Sequence, residues 1–235
     1  PNARQAGSGG ETLPMDLRAI ILDNGVQPNA VRQGTRRATA NLGGWVMSDE
    51  TILDEWGGVE VPAAPAAEAV EAAAATTALL VLDIQQGNCN LERRPRCVVT
   101  LGGIADLLAR ARQAGAAVVY SLTRSAEPAD IRPELAPKGD EPVVKASVDK
   151  FHGTELEKIL SERGIETVII VGTAAHGAVL HTATGAAMRG LKVIVPVDGM
   201  SATEPYAEQY TAWHLANSPG TRKATTLTRT DLVSF

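Results

Sequence analysis

Ala78-Leu79-Leu80-Val81-Leu82-Asp83 is the stretch on which the fold turns. Five apolar residues run without polar alternation and end at a carboxylate. A strand with one face in water would alternate, so this one is read as buried on both faces, in a mainly parallel sheet. Working outward, residues 98–114 place Ile104, Leu107, Leu108 and Ala111 on one helical face, with Gly115 as the stop. Ala116 to Leu122 reads as the next strand, 124–141 as a loop rich in proline and charge, and Val143-Val144 as a short extended piece. A helix over 153–163 stopped at Gly164, a strand from Thr167 to Val171 and a helix over 176–189 stopped at Gly190 follow. Then come a strand from Leu191 to Val197, a helix over 204–217 and a strand from Ala224 to Leu227. Strands alternating with helices of this length predict an α/β domain, with the sheet layered between helices.

The segment before residue 78 has a different character. Residues 1–77 hold 5 Lys/Arg and 10 Asp/Glu, whereas 78–235 hold 17 of each. Residues 1–14 carry Gly7-Ser8-Gly9-Gly10 and read as flexible; Asp23-Asn24-Gly25 is a turn signal. Trp45 and Trp56 are expected to pack on the body or on a neighbouring subunit. Residues 61–77, with nine alanines and two prolines, read as a linker. The expected organisation is an acidic arm and linker over 1–77 and a globular domain over 78–235. The chain begins at Pro1; Met15 is a candidate native start, and any signal peptide is expected to be already gone.

Composition excludes some partners. The net charge is 22 − 27 = −5 and aromatics make up 3% of 235 residues, which speaks against a nucleic-acid binder. No apolar run is long enough for a spanning helix, so no membrane partner is expected. Cys89 and Cys97 do not have zinc or redox spacing; two free thiols of a reducing, cytoplasmic setting are expected, with a short-loop disulfide as the alternative.

Ligands in parallel sheets sit beyond the carboxyl ends of the strands, where Asp83, Thr123-Arg124, Gly172 and Asp198 fall. Asp83 is the leading candidate, because burial raises a carboxyl pKa and suits it to acid–base work; a loop-tethering Asp is the plainer alternative. Lys145 is a candidate charge partner for it, set against a solvated surface lysine. Cys89, six residues after Asp83, is a minor candidate nucleophile. Val171-Gly172-Thr173-Ala174-Ala175-His176-Gly177-Ala178 runs from a strand into a helix, and such turns offer N–H groups to an anion. His176 is a candidate ligand or acid–base group, or a capping residue. His181, five residues on, makes a poor metal pair with it.

Three blocks then form a pattern. They are Leu80-Val81-Leu82-Asp83-Ile84-Gln85; Val144-Lys145 with Phe151-His152-Gly153-Thr154-Glu155-Leu156; and Val171-Gly172-Thr173-Ala174 with Val179-Leu180-His181-Thr182-Ala183, then Ala186, Gly190, Val193 and Asp198. Together they resemble the isochorismatase-like (cysteine hydrolase) superfamily, over about two-thirds of the chain. The resemblance implies a three-layer sandwich of Rossmann-like topology with a roughly six-stranded sheet. It implies an Asp–Lys–Cys triad in which Asp83 and Lys145 match. Ala178 stands in the cysteine's place and has no nucleophilic atom. Ala175 stands where amidases of the family often carry Thr.

The resemblance implies a small-molecule substrate, with Gln85, Phe151 and the turn Ala174, Ala175, His176, Gly177 as binding candidates; Arg124 is a candidate for a substrate carboxylate, set against a solvated loop arginine. It also implies a homo-oligomer. The metal pattern of nicotinamidases, Asp-x-His, is absent, and Asn88-Cys89-Asn90-Leu91 does not replace it, so neither metal nor other cofactor is expected. The short connection from Leu122 to Val143 leaves no large lid; the N-terminal arm is the alternative cover. Three readings follow. One is a cysteine-free acid catalyst, as in the isochorismatase branch, where an aspartic acid protonates a vinyl ether and water completes hydrolysis. Another is a non-catalytic binder on the same fold. The third is an amidase whose cysteine has been replaced by Ala178.

Overall fold

The computed structural model describes residues 51–235, together with the backbone of two short strands before them. Those strands, β1 (Ala40–Leu42) and β2 (Trp45–Met47), pair antiparallel, Leu42 opposite Trp45. The readings of residues 1–14, Met15 and Asp23-Asn24-Gly25, and of the Trp45 side chain, lie outside the described residues. Trp56 is exposed. The chain divides into two compact units, Pro1–Glu60 and Val61–Phe235. Within the second unit, residues before 78 pair locally: β3 (Val70–Glu71) lies parallel to β11 (Val233–Ser234), and Glu68 N–H donates to the Leu227 carbonyl at 2.9 Å.

The main sheet contains β4 (Thr77–Leu82), β5 (Ala117–Leu122), β6 (Val143–Lys145), β7 (Thr167–Thr173), β8 (Lys192–Pro196) and β10 (Thr225–Thr228). Their order across the sheet is β10-β8-β7-β4-β5-β6, every pair parallel, and β9 (Met200–Ser201) adds a short seventh strand beside β7. β4 is buried along its whole length, as its unbroken apolar run requires.

Alternate residues of β4 serve opposite layers. Leu79 and Val81 pack with α1 (Pro95–Ala114) through Ile104, Leu107, Leu108 and Ala111. Ala78, Leu80 and Leu82 pack with α2 (Leu156–Glu162), α3 (Leu180–Met188) and α4 (Pro205–Asn217) through Leu156, Leu160, Ala183, Ala186 and Leu215. The result is the expected three-layer α/β sandwich. Among the described residues no helix is long and apolar enough to cross a membrane.

From β4 the chain moves one way to β5 and β6, then crosses back to β7 on the other side. The carboxyl end of β4 is therefore the switch point, where open α/β sheets form a crevice. Two glycines permit the close packing there. Gly172 has φ +152°, and a Cβ on it would lie 2.4 Å from the Leu82 carbonyl oxygen. A Cβ on Gly185 of α3 would lie 2.9 Å from Asp149 Oδ1, so α3 can approach the segment that precedes Lys150.

Candidate active site

Asp83 ends β4 in a left-handed conformation, φ 53°, which Asp tolerates better than most side chains. It is 6% exposed. Ser121 Oγ, from the end of neighbouring β5, donates to Asp83 Oδ1 at 2.8 Å. Lys150 Nζ donates to Asp83 Oδ2 at 2.7 Å and to the Ser147 carbonyl at 2.5 Å. Lys150 has no exposed surface. Its backbone is held from both sides: its N–H donates to Thr182 Oγ1 of α3 at 3.2 Å, and its carbonyl accepts from Thr154 Oγ1 at 2.5 Å.

Lys145 is not brought to Asp83. It sits on the edge strand β6, exposed, with Nζ 2.7 Å from Glu127 Oε1. The alternation of that short strand buries Val144 and turns Lys145 outward; the chain then folds back and buries Lys150 instead. The ammonium opposite Asp83 is thus five residues further on than the sequence suggests. Lys150 directly precedes Phe151, but nothing in its charged neighbourhood, Val148-Asp149-Lys150, distinguishes it from a surface lysine. Ser121 shows in the sequence only as a small hydroxyl beside Tyr120 late in an apolar strand.

Burial is the largest influence on Asp83 and holds its carboxyl above the ordinary value of 3.8. The nearby Lys150, the Ser121 hydroxyl and the charge of Arg94 pull the other way.

The other candidates divide. Gln85 is buried and spent within the loops: its Nε2 donates to Thr123 Oγ1 at 2.8 Å and its Oε1 accepts from Thr123 N–H at 3.2 Å. Arg124 is exposed. Phe151 is in the core, with the Arg189 guanidinium 4.4 Å above its ring. Asp198 ties down the C-terminal segment, accepting from Thr230 N–H at 2.7 Å and Thr230 Oγ1 at 2.8 Å. After β7, a cis peptide joins Thr173 to Ala174 and a π turn spans Ala175–Val179 before α3. Ala175 and Ala178 of that turn are buried, His176 is exposed, and Gly177 N–H is used within the turn on the Ala174 carbonyl at 3.0 Å.

Cys89 and Cys97 are joined in a disulfide, with Cα atoms 5.2 Å apart, and not free as expected. The loop after Asp83 curls back, with Cys89 N–H on the Gln85 carbonyl and Arg94 N–H on the Asn90 carbonyl. This brings Cys89 against the first turn of α1. Buried and oxidised, it has no thiol to offer as a nucleophile.

A cleft of about 1100 Å3 opens beside this centre, walled by residues of α3 and α4. Asp83, Lys150 and Ala178 are not in its wall. The lining residues that connect to them are Arg94, whose charge acts on Asp83, and His176, which shares the turn of Ala178. Among the described residues no three His, Cys, Asp or Glu side chains converge as a metal-ligand set.

The buried carboxylate–ammonium pair thus lies at the switch point of a parallel α/β sheet, where such folds bind their ligands. Residues 77–230 match the isochorismatase domain family, and the chain belongs to that family. It is similar to N-carbamoylsarcosine amidase of an Arthrobacter species, 32% identical over 98 residues, or 41% of this chain and 37% of the relative. It is also similar to enterobactin synthase component B of Escherichia coli, 38% identical over 81 residues, or 34% of this chain and 28% of the relative. The match therefore spans well under half the length of each. Among solved structures, an isochorismatase-like hydrolase from Alkaliphilus metalliredigens superposes with a TM-score of 0.59 at 24% identity, covering 66% of this chain and 95% of that one. The fold is that of isochorismatase-like hydrolases.

Proposed function

We propose that the protein is a metal-free hydrolase of a small molecule, in which Asp83 is the general acid–base and Lys150 its positioning partner. The observation that carries this reading is the buried contact of 2.7 Å between Asp83 Oδ2 and Lys150 Nζ at the carboxyl end of β4. A carboxyl held above its ordinary pKa keeps a proton to give closer to neutral pH than a surface carboxyl does. Lys150 and Ser121 hold the carboxylate left after the proton has gone.

With Ala178 where the resemblance places the family's nucleophile, and Cys89 oxidised, no thiol is available for a covalent intermediate. The chemistry that suits the site is direct hydrolysis. Applied to a vinyl ether, the Asp83 proton goes to the terminal vinyl carbon and leaves an oxocarbenium ion. Water adds to the ether carbon and returns one proton to Asp83. The hemiketal then breaks its C–O bond to give a ketone and an alcohol.

The test is product formation by the purified protein offered isochorismate and a panel of primary amides, with Asp83→Asn alongside. Turnover of isochorismate that disappears in Asp83→Asn is expected. Turnover of amides alone would overturn the cysteine-free mechanism, and turnover of nothing would favour a binding protein on the same fold.

A further inference from the structure

A threonine inside a helix usually spends its hydroxyl on its own helix, on a carbonyl three or four residues back. Thr100 of α1, Thr184 of α3 and Thr211 of α4 do so, donating to the carbonyls of Cys97, Leu180 and Ala207 at 2.8, 2.8 and 2.7 Å. Thr182 of α3 does not. It is fully buried, and its hydroxyl crosses to another segment. Thr182 Oγ1 donates to the Val148 carbonyl at 3.4 Å and accepts from Lys150 N–H at 3.2 Å. Both hydrogen-bonding roles of one hydroxyl thus go to the segment that carries the ammonium of the site.

The same face of the helix receives the rest of that segment. Gly185 lies three residues beyond Thr182 and Arg189 seven beyond it, the spacing of one helical face. A Cβ on Gly185 would lie 3.2 Å from the Phe151 ring as well as against Asp149, and the Arg189 guanidinium covers that ring. On α3, Thr182 is the side chain that bonds the Lys150 backbone. The root of Lys150 matters because a lysine side chain is long and flexible. Its Nζ has two acceptors in reach, Asp83 Oδ2 at 2.7 Å and the Ser147 carbonyl at 2.5 Å. A shift of the root would redistribute the ammonium between them.

We propose that Thr182 is a positioning residue of this site: its hydroxyl fixes the root of Lys150 and so holds the ammonium on Asp83 rather than on the Ser147 carbonyl. The inference rests on the reading of Asp83 and Lys150 as the working pair, and it adds the group that keeps the pair together. Thr182 acts through Lys150; no proton passes through its hydroxyl. Because α3 follows directly from the turn of Ala178, the same helix ties the ammonium to that turn.

The test follows the Asp83 carboxyl carbon by NMR as the full chain is titrated, in the parent, Thr182→Val, Thr182→Ala, Thr182→Ser and Lys150→Met. The groups that act on Asp83 are Lys150, the Ser121 hydroxyl of β5 and the charge of Arg94, and each favours its carboxylate. Loosening Lys150 therefore raises the midpoint, and Lys150→Met sets the full size of the rise. Thr182→Val and Thr182→Ala lack the hydroxyl and are expected to raise it by at least about 0.5 pH unit, part of what a facing charge commands. Thr182→Ser keeps the hydroxyl and is expected to titrate with the parent. The alanine variant answers the question if valine disturbs folding. A merely structural threonine would lower the denaturant midpoint and leave the Asp83 titration where it is. An Asp83 midpoint unmoved in the variants without the hydroxyl, an equal rise in Thr182→Ser, or loss of the fold in both Thr182→Val and Thr182→Ala would overturn the proposal. No substrate enters this titration. A raised midpoint in a protein that hydrolyses nothing would keep the positioning role and sink the hydrolase reading. Turnover by the parent with an unmoved midpoint would do the reverse.

Discussion

Asp83 combines three features: a left-handed backbone at a strand end, near-complete burial, and an ammonium 2.7 Å away. Burial raises its pKa, so the acid form persists above 3.8 and is lost as pH rises through the raised folded value. Activity that needs this proton therefore falls on the alkaline side of that value, and a pH–rate profile is expected to show the limb above the ordinary carboxylate range. The same sign governs stability. The contribution of Asp83 is full below its unfolded value and is lost as pH rises through the folded one. Removing Lys150 takes away a charge that lowers the Asp83 pKa, so the alkaline limb of a Lys150→Met protein is expected to move to higher pH. A limb that stays put, or moves down, would mean that another group is being titrated.

At the scale of elements, β4 and β7 meet so closely that only glycine fits opposite Leu82. Gly172→Ala would set a methyl 2.4 Å from the Leu82 carbonyl oxygen in a conformation L-residues avoid. A loss of about 3 kcal/mol is expected in denaturant unfolding, from overpacking and backbone strain together. An unchanged midpoint would show that the strands can part freely. This closeness was not visible in the sequence, where Gly172 is one residue in an apolar run.

What was visible were the long periodic elements. The unbroken run Ala78–Leu82 announced a doubly buried strand, and Ile104, Leu107, Leu108 and Ala111 announced the inward face of α1. Short pieces were not visible. β3, β9 and β11 have two residues each and exist only because a neighbouring backbone pairs with them. The site was legible in part for the same reason. Asp83 stands at the end of a strong signal, whereas Lys150, Ser121 and Arg94 become neighbours of Asp83 only through β5, the 146–150 segment and the curled loop. Lys145 looked like the partner because it follows a strand, but edge-strand alternation turned it to water.

For the whole molecule, residues 61–77 belong to the same compact unit as the sheet. Residues 61–77 look like a linker by composition, yet Ala72 is buried, Ala72 N–H donates to the Ser234 carbonyl at 2.8 Å, and Thr228 Oγ1 donates to the Glu68 carbonyl at 2.6 Å. A protein spanning 61–235 is expected to unfold cooperatively. One spanning 78–235 is expected to be less stable by at least about 2 kcal/mol, since several hydrogen bonds and the β3–β11 pairing go with the removed segment. Equal stability of the two would support the linker reading of 61–77.

The most direct measurement on the centre itself compares kcat/KM for isochorismate hydrolysis in Lys150→Met and Lys145→Met. If Lys150 is the partner of Asp83, Lys150→Met falls by about a hundredfold or more, the scale of acid–base catalysis, while Lys145→Met stays within about twofold of the parent. A large loss in Lys145→Met with Lys150→Met unaffected would contradict the account and return the role to the exposed lysine of β6.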